Sequence, residues 1–208
     1  NLAVQNPRAR VRKINVLPKD FFDLKPGQAV LAGFAGLTAE GGRTPVILPP
    51  SFDVVVANPP YIRQELLGLH EKEKIKDRIE KDFIDVSVGT LRKEANVTIL
   101  DKAKQVVLDK QSDIYIYFYM HGLAFLKNNG RLGFISSNKW LEVGYGEPFQ
   151  RFLLDNVRIE YVIEFDRAVF PDAEVNTAVT ILQKESNKDF RRKNVVKFVR
   201  VKQRLGME

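Results

Sequence analysis

Residues 52–61 read FDVVVANPPY. The first six, Phe52–Ala57, are rich in valine and almost all apolar, as a strand buried on both faces of a sheet must be. Asn58-Pro59-Pro60 then ends the strand. Asn58 precedes a proline, so its backbone is held extended. Both prolines have a fixed φ and no N–H, which leaves stiff carbonyls with spare acceptor capacity. Tyr61 adds an aromatic face. Open α/β sheets bind ligands just beyond the carboxyl ends of their strands. A site is therefore expected here, built from an amide oxygen, a proline carbonyl and a ring on short rigid backbone. A turn with no further role would use the same prolines, but would have no reason to follow such a strand.

Strand-like and helix-like stretches alternate on both sides, the signature of an α/β domain. Downstream, 65–111 is densely charged and helix-prone, with Ile75, Ile79 and Phe83 at helical spacing. It reads as a charged, mobile, partly helical insertion. Asp113–Lys127 (DIYIYFYMHGLAFLK) reads as a buried helix that ends at Asn128-Asn129-Gly130. Arg131–Ser136 is the next strand. A helix begins at Pro148 and runs to Leu154. Arg158–Phe165, Thr177–Gln183 and Val195–Val201 read as three further strands. Upstream, Arg10–Leu17 reads as a short strand, and 26–50, dense in Gly and Pro, as a long loop or insertion.

The 208 residues are 44% hydrophobic and 28% charged, which fits one globular domain and argues against wholesale disorder. The absence of cysteine excludes disulfides and thiolate metal sites, and fits a reducing, cytoplasmic location. The two histidines, His70 and His121, are far apart, so no metal centre is expected; His121 reads as a packed or half-exposed residue. No apolar run is long enough to span a membrane. The net charge is +7 and is uneven. Residues 184–208 hold nine basic and three acidic side chains, and 1–25 hold six and two. Such a basic end suits a polyanion such as DNA, or simply a solvated face.

With these residues in view, the chain resembles the amino-methyltransferases, in which Asn-Pro-Pro-Tyr is the catalytic motif. That motif occurs in adenine-N6 DNA methyltransferases, in protein-glutamine N5 methyltransferases and in some RNA-guanine N2 enzymes. RLGFISSNKWL at 131–141, with Val169-Phe170-Pro171 and the Val-Asn-Thr-Ala-Val of 175–179, is similar to the adenine DNA enzymes of restriction-modification systems. The resemblance implies a Rossmann-like S-adenosylmethionine-dependent fold. It implies that Asn58, Pro59, Pro60 and Tyr61 are catalytic, and that Tyr61 and Phe170 sandwich a flipped-out adenine. It also implies a cofactor site at Asp20, Phe21 and Ile114, with Asp20 accepting from the cofactor's adenine amine. A helix N-cap is the competing reading of Asp20. The implied partner is double-stranded DNA, with a restriction or specificity domain in the same parent chain.

The family's glycine-rich loop and second-strand acid belong upstream of Asp20, where only nineteen residues lie. Gly36, Gly41 and Gly42 come after it and read as loop glycines. Residues 1–183 are thus expected to be the later part of a catalytic domain with its first strands missing. Residues 184–208 are a basic strand or tail leading towards a recognition region. Such a piece alone is expected to be inactive. Two alternatives stay open. One is a protein-glutamine or RNA-guanine enzyme, the former favoured by Ile62 after Tyr61. The other is a non-catalytic DNA-binding module, disfavoured by the intact Asn58 and Tyr61.

Overall fold

The computed structural model of the chain describes residues 15–34, 44–62, 66–83, 86–88, 106–108, 112–142, 146–166, 169 and 176–202. They fall into two compact units, Asn1–Pro50 and Ser51–Glu208. Among the described residues no helix is long and apolar enough to cross a membrane.

The first unit is a small antiparallel sheet. Its strands are β1 (Asn15–Val16), β2 (Ala29–Phe34) and β3 (Thr44–Ile47), in the order β1-β2-β3. The stretch 26–50, read from sequence as a loop or insertion, therefore carries two paired strands. Its Gly and Pro residues punctuate the strands rather than preclude them. Pro45 lies in β3, which among the described strands borders only β2, where a missing N–H is tolerated. Gly27 takes φ +73° in the turn before β2, and its N–H bonds the Pro49 carbonyl at 3.0 Å. Of the strand expected over Arg10–Leu17, residues 15–17 lie within the described residues, and Asn15–Val16 form β1. Phe22, Val30 and Leu48 are buried in this unit.

The second unit is α/β, as expected, around a mixed sheet. Its strands are β4 (Phe52–Ala57), β7 (Leu126–Ser137), β8 (Val157–Phe165), β9 (Thr177–Lys184) and β10 (Lys197–Val201), in the order β10-β8-β9-β7-β4. β4 is parallel to β7 and β8 to β10, while β9 runs against both its neighbours. The ends of β4, β7, β8 and β10 therefore lie at one end of the sheet, and β9 starts there. A separate parallel pair is formed by β5 (Val86–Val88) and β6 (Val106–Leu108).

Among the described residues, this unit has the α-helices α1 (Leu69–Asp82), α2 (Ile114–Ala124), α3 (Gly146–Asn156) and the short α4 (Lys188–Arg192). Nine of the eleven residues of α2 are buried, so it is an interior helix, apolar all round, and not an amphipathic one. It lies against Leu132 and Phe134 of β7. A methyl group on Gly122 would come within 2.9 Å of the Leu132 side chain and 3.1 Å of the Phe134 ring, so only glycine allows this approach. Tyr119 packs on Phe134 and Phe149, with ring centroids at 4.7 and 5.4 Å, and Trp140 meets Phe149 edge-on. The other sheet face is less covered: Ile135, Val179, Ile181 and Ile163 are half-buried, and Val54 and Val56 are 57% and 77% exposed.

The charged stretch 65–111 is more ordered at its start than its composition indicates. α1 buries Ile75 and Ile79, and Phe83 meets the Phe152 ring edge-on at 5.0 Å, so all three residues at helical spacing face the core. One polar contact fixes the helix end. His121 of α2 is fully buried, and its Nδ1 lies 2.5 Å from Asp82 Oδ2, with Arg78 close to the same carboxylate. Removing Asp82 would take this partner from a buried ring nitrogen, at a cost of about 1–3 kcal/mol. Asp82→Ala in the intact protein should therefore lower hydrogen-exchange protection across α1 by roughly ten- to a hundredfold. Unchanged exchange there would show that apolar packing alone holds the helix.

Candidate active site

β4 delivers Asn58-Pro59-Pro60-Tyr61 to the end of the sheet where β7, β8 and β10 also finish. Asn58 is exposed, so its amide is accessible, whereas Pro59 is buried and anchors the turn. Tyr61 is half-buried, and burial raises its phenol above the ordinary tyrosine value. Its hydroxyl reaches the Ile135 carbonyl of β7 in a long 3.5 Å contact. The ring is thus tied to the neighbouring strand.

The adjoining strand ends add polar groups that sequence reasoning missed. β7 finishes in Ser136 and Ser137, followed by Asn138, all three buried. Asn138 Nδ2 donates to Glu164 Oε1 of β8 at 3.1 Å, and its backbone N–H donates to the Asn176 carbonyl just before β9. Tyr119 of α2 reaches the Ser136 hydroxyl at 3.1 Å. The available signal was the Ser-Ser-Asn run ending an otherwise apolar strand.

The remaining candidates fall in different places. Asp20 and Phe21 lie in the first unit. Asp20 is exposed, and its carboxylate accepts from the Phe22 N–H at 2.9 Å, capping a 3-10 turn over Phe21–Asp23. The capping reading of Asp20 is thus realised. Phe21 is half-buried, with its ring 6.0 Å from that of Phe22. Ile114 opens α2 and is buried. Because α2 runs back along β7, Ile114 lies towards the same end of the sheet as Asn58. Phe170 lies outside the described residues; the strand ends that flank it, Phe165 and Thr177, are at the Asn58 end.

Residues 19–170 match the Eco57I restriction-modification methylase family. The chain belongs to that family. It is 31% identical over 116 residues to the type II methyltransferase M.BstVI of Geobacillus stearothermophilus, a match covering 56% of this chain and 16% of that protein. It is 27% identical over 143 residues to the type II methyltransferase M.XhoI of Xanthomonas vasicola, covering 68% and 21%. Among solved structures, a methyltransferase subunit of a type I restriction-modification system from Streptococcus thermophilus is similar with a TM-score of 0.46 at 22% identity. That likeness covers 73% of this chain and 26% of the other. The chain spans between 12% and 21% of the length of the curated relatives it matches.

In this family member the basic segment from Lys184 onward does not form one surface. Lys184 Nζ donates to the Leu123 and Leu126 carbonyls at 3.0 and 2.8 Å, and so caps the end of α2. β9 runs away from the Asn58 end, so Lys188, Arg191, Arg192 and Lys193, on and just after α4, lie at the opposite end of the sheet. β10 then returns. Lys197 sits over the Tyr161 ring and donates to its hydroxyl, while Arg200, paired with Asp166, and Lys202 come back to the Asn58 end.

Burial holds Lys184 below the ordinary lysine value. The folded protein therefore releases this proton at lower pH than the unfolded chain does. Between the two values the unfolded state binds more protons, so stability rises with pH. Against a Lys184→Met variant, the wild type should gain stability as the pH climbs from the depressed value towards that of a free lysine. Denaturant midpoints over that alkaline range measure the effect, and parallel curves for the two proteins would contradict the burial argument.

Proposed function

We propose that this chain is the base-holding part of an adenine-N6 DNA methyltransferase of a restriction-modification system. The observation that carries the reading is the placement of Asn58-Pro59-Pro60-Tyr61 at the carboxyl end of β4, with Tyr61 tied to β7.

An exocyclic amine is a poor nucleophile because its lone pair is delocalised into the ring. Two acceptors that grip its N–H groups favour a tetrahedral nitrogen and free the lone pair. The Asn58 side-chain oxygen and the Pro59 carbonyl are suited to this role, and proline stiffness keeps them preorganised. Tyr61 and Phe170 take the faces of the base, replacing the stacking it loses on leaving the duplex. S-adenosylmethionine supplies the electrophilic methyl group. Within the second unit Ile114 would give it an apolar contact; within the first, Asp20 and Phe21 have the acceptor and the ring that an adenine group would need. Double-stranded DNA is the substrate, read by a recognition region elsewhere in the parent protein.

The test is methyl transfer by the full-length parent from labelled S-adenosylmethionine to unmethylated genomic DNA, followed by nucleoside analysis. N6-methyladenine is the expected product; label found only in protein or RNA would replace the substrate. Asn58→Ala should lower kcat by about a hundredfold or more, the usual scale for a lost preorganised polar contact, while DNA affinity stays within a few-fold.

Phosphate contacts should follow the topology. Arg200→Ala and Lys202→Ala should each flatten the salt dependence of DNA binding by about one unit of slope. Arg192→Ala and Lys193→Ala, at the other end of the sheet, should leave the slope unchanged. Equal effects from the two pairs would mean that DNA does not approach over the Asn58 end alone.

A further inference from the structure

Beneath Tyr61 lies a group of buried hydroxyls that packing does not require. Tyr119 is fully buried, with its ring between Phe134 and Phe149, where a phenylalanine would fill the same space. Its hydroxyl meets Ser136 Oγ at 3.1 Å, and Ser136 Oγ donates onward to the Ser137 carbonyl at 3.2 Å. Tyr119 is therefore the donor to Ser136. The buried Thr180 hydroxyl faces the same phenol oxygen from β9, outside hydrogen-bonding geometry. Buried polar groups are costly unless paired, and a valine or phenylalanine set would avoid the cost.

The chain of bonds ends where Tyr61 is held. Tyr61 donates to the Ile135 carbonyl, and the Tyr119–Ser136 pair ties down the two residues that follow. Both tyrosines thus hang from the last three residues of β7, just before the turn into Asn138. The Tyr61 phenol also acts electrostatically on Tyr119. Burial and the Tyr61 phenol both push Tyr119 upward, to about 12, so it stays a protonated donor throughout the neutral range.

We propose that Tyr119 and Ser136 are positioning residues for methyl transfer: they fix the end of β7 and, through it, the height and tilt of the Tyr61 ring. The proposal rests on the reading of Tyr61 as a face for the target base. Neither residue touches the base; both act through Tyr61.

Tyr119→Phe in the full-length protein keeps the ring contacts and removes the hydroxyl. Loss of one hydrogen bond's worth of alignment corresponds to about tenfold in rate. The expected result is a kcat lower by about tenfold, with KM for DNA and for S-adenosylmethionine within twofold of wild type. A 2-aminopurine at the target position should fluoresce differently in the bound complex. Tyr61→Phe should give a similar loss, and the double variant should lose little more than either single one, because the two act as a unit. Wild-type kcat in Tyr119→Phe, or fully additive losses, would overturn the proposal. If Tyr119→Phe does not fold, Ser136→Ala takes its place with the same expected outcomes.

A second readout needs no substrate. In protein carrying fluorotyrosine, the ¹⁹F resonance of Tyr61, assigned by its disappearance in Tyr61→Phe, should move in Tyr119→Phe. A fixed resonance counts against the coupling. If the wild-type parent leaves adenine unmethylated, the functional reading fails, and this resonance still decides whether Tyr119 positions Tyr61.

Discussion

The parallel pairing of β4 with β7 is the constraint on which the rest depends. Its register places Val54–Ala57 beside Arg131–Phe134, joining segments more than seventy residues apart. Because the two strands run the same way, both finish at one end of the sheet. Asn58–Tyr61 thereby comes to stand next to Ser136–Asn138. A slip of one residue would turn Val55, which faces Gly122 of α2, to the opposite face. β7 carries a second load as well, since β9 pairs along its other edge and α2 covers one of its faces.

Within that frame, α2 is almost wholly apolar at its surface, and apolar packing is non-directional. A helix of this kind could rotate or slide with little loss. Three polar contacts oppose this. Tyr119 reaches Ser136 from the middle of the helix, His121 meets Asp82 from α1, and Lys184 of β9 takes the last carbonyls. Each comes from a different element, so together they fix both the turn of the helix and its position along the sheet.

The parts of this arrangement that are local in sequence were legible, and those that rest on distant partners were not. The valine-rich strand, its proline ending and the buried aromatic helix are short-range patterns, and the structure shows them within a few residues of their expected limits. The pairs β2 and β3 were hidden by the Gly and Pro residues that bound them. α1 read as part of a mobile, partly helical insertion because its charges outnumber its apolar residues, although it buries Ile75 and Ile79 and holds His121 through Asp82. Tyr119 read as one aromatic among many, since its partner Ser136 is seventeen residues away on another element. The basic segment read as a single patch because charge counts ignore direction. β9 carries its first lysines and arginines to one end of the sheet and β10 returns the rest to the other.

β4 also closes the sheet at its outer border among the described residues, with one side hydrogen-bonded to β7 and no described strand on the other. Its Val54 and Val56 are largely open to solvent, and no lysine or proline interrupts Phe52–Ala57. Native sheets usually guard such a border with charge, a bulge or a covering element. Here Asp53, paired with Lys127, and a register shift between Phe52 and Val54 guard the border where it begins. Among the described residues the uncharged run Val54–Ala57, next to Asn58, is the part of the border best suited to strand addition.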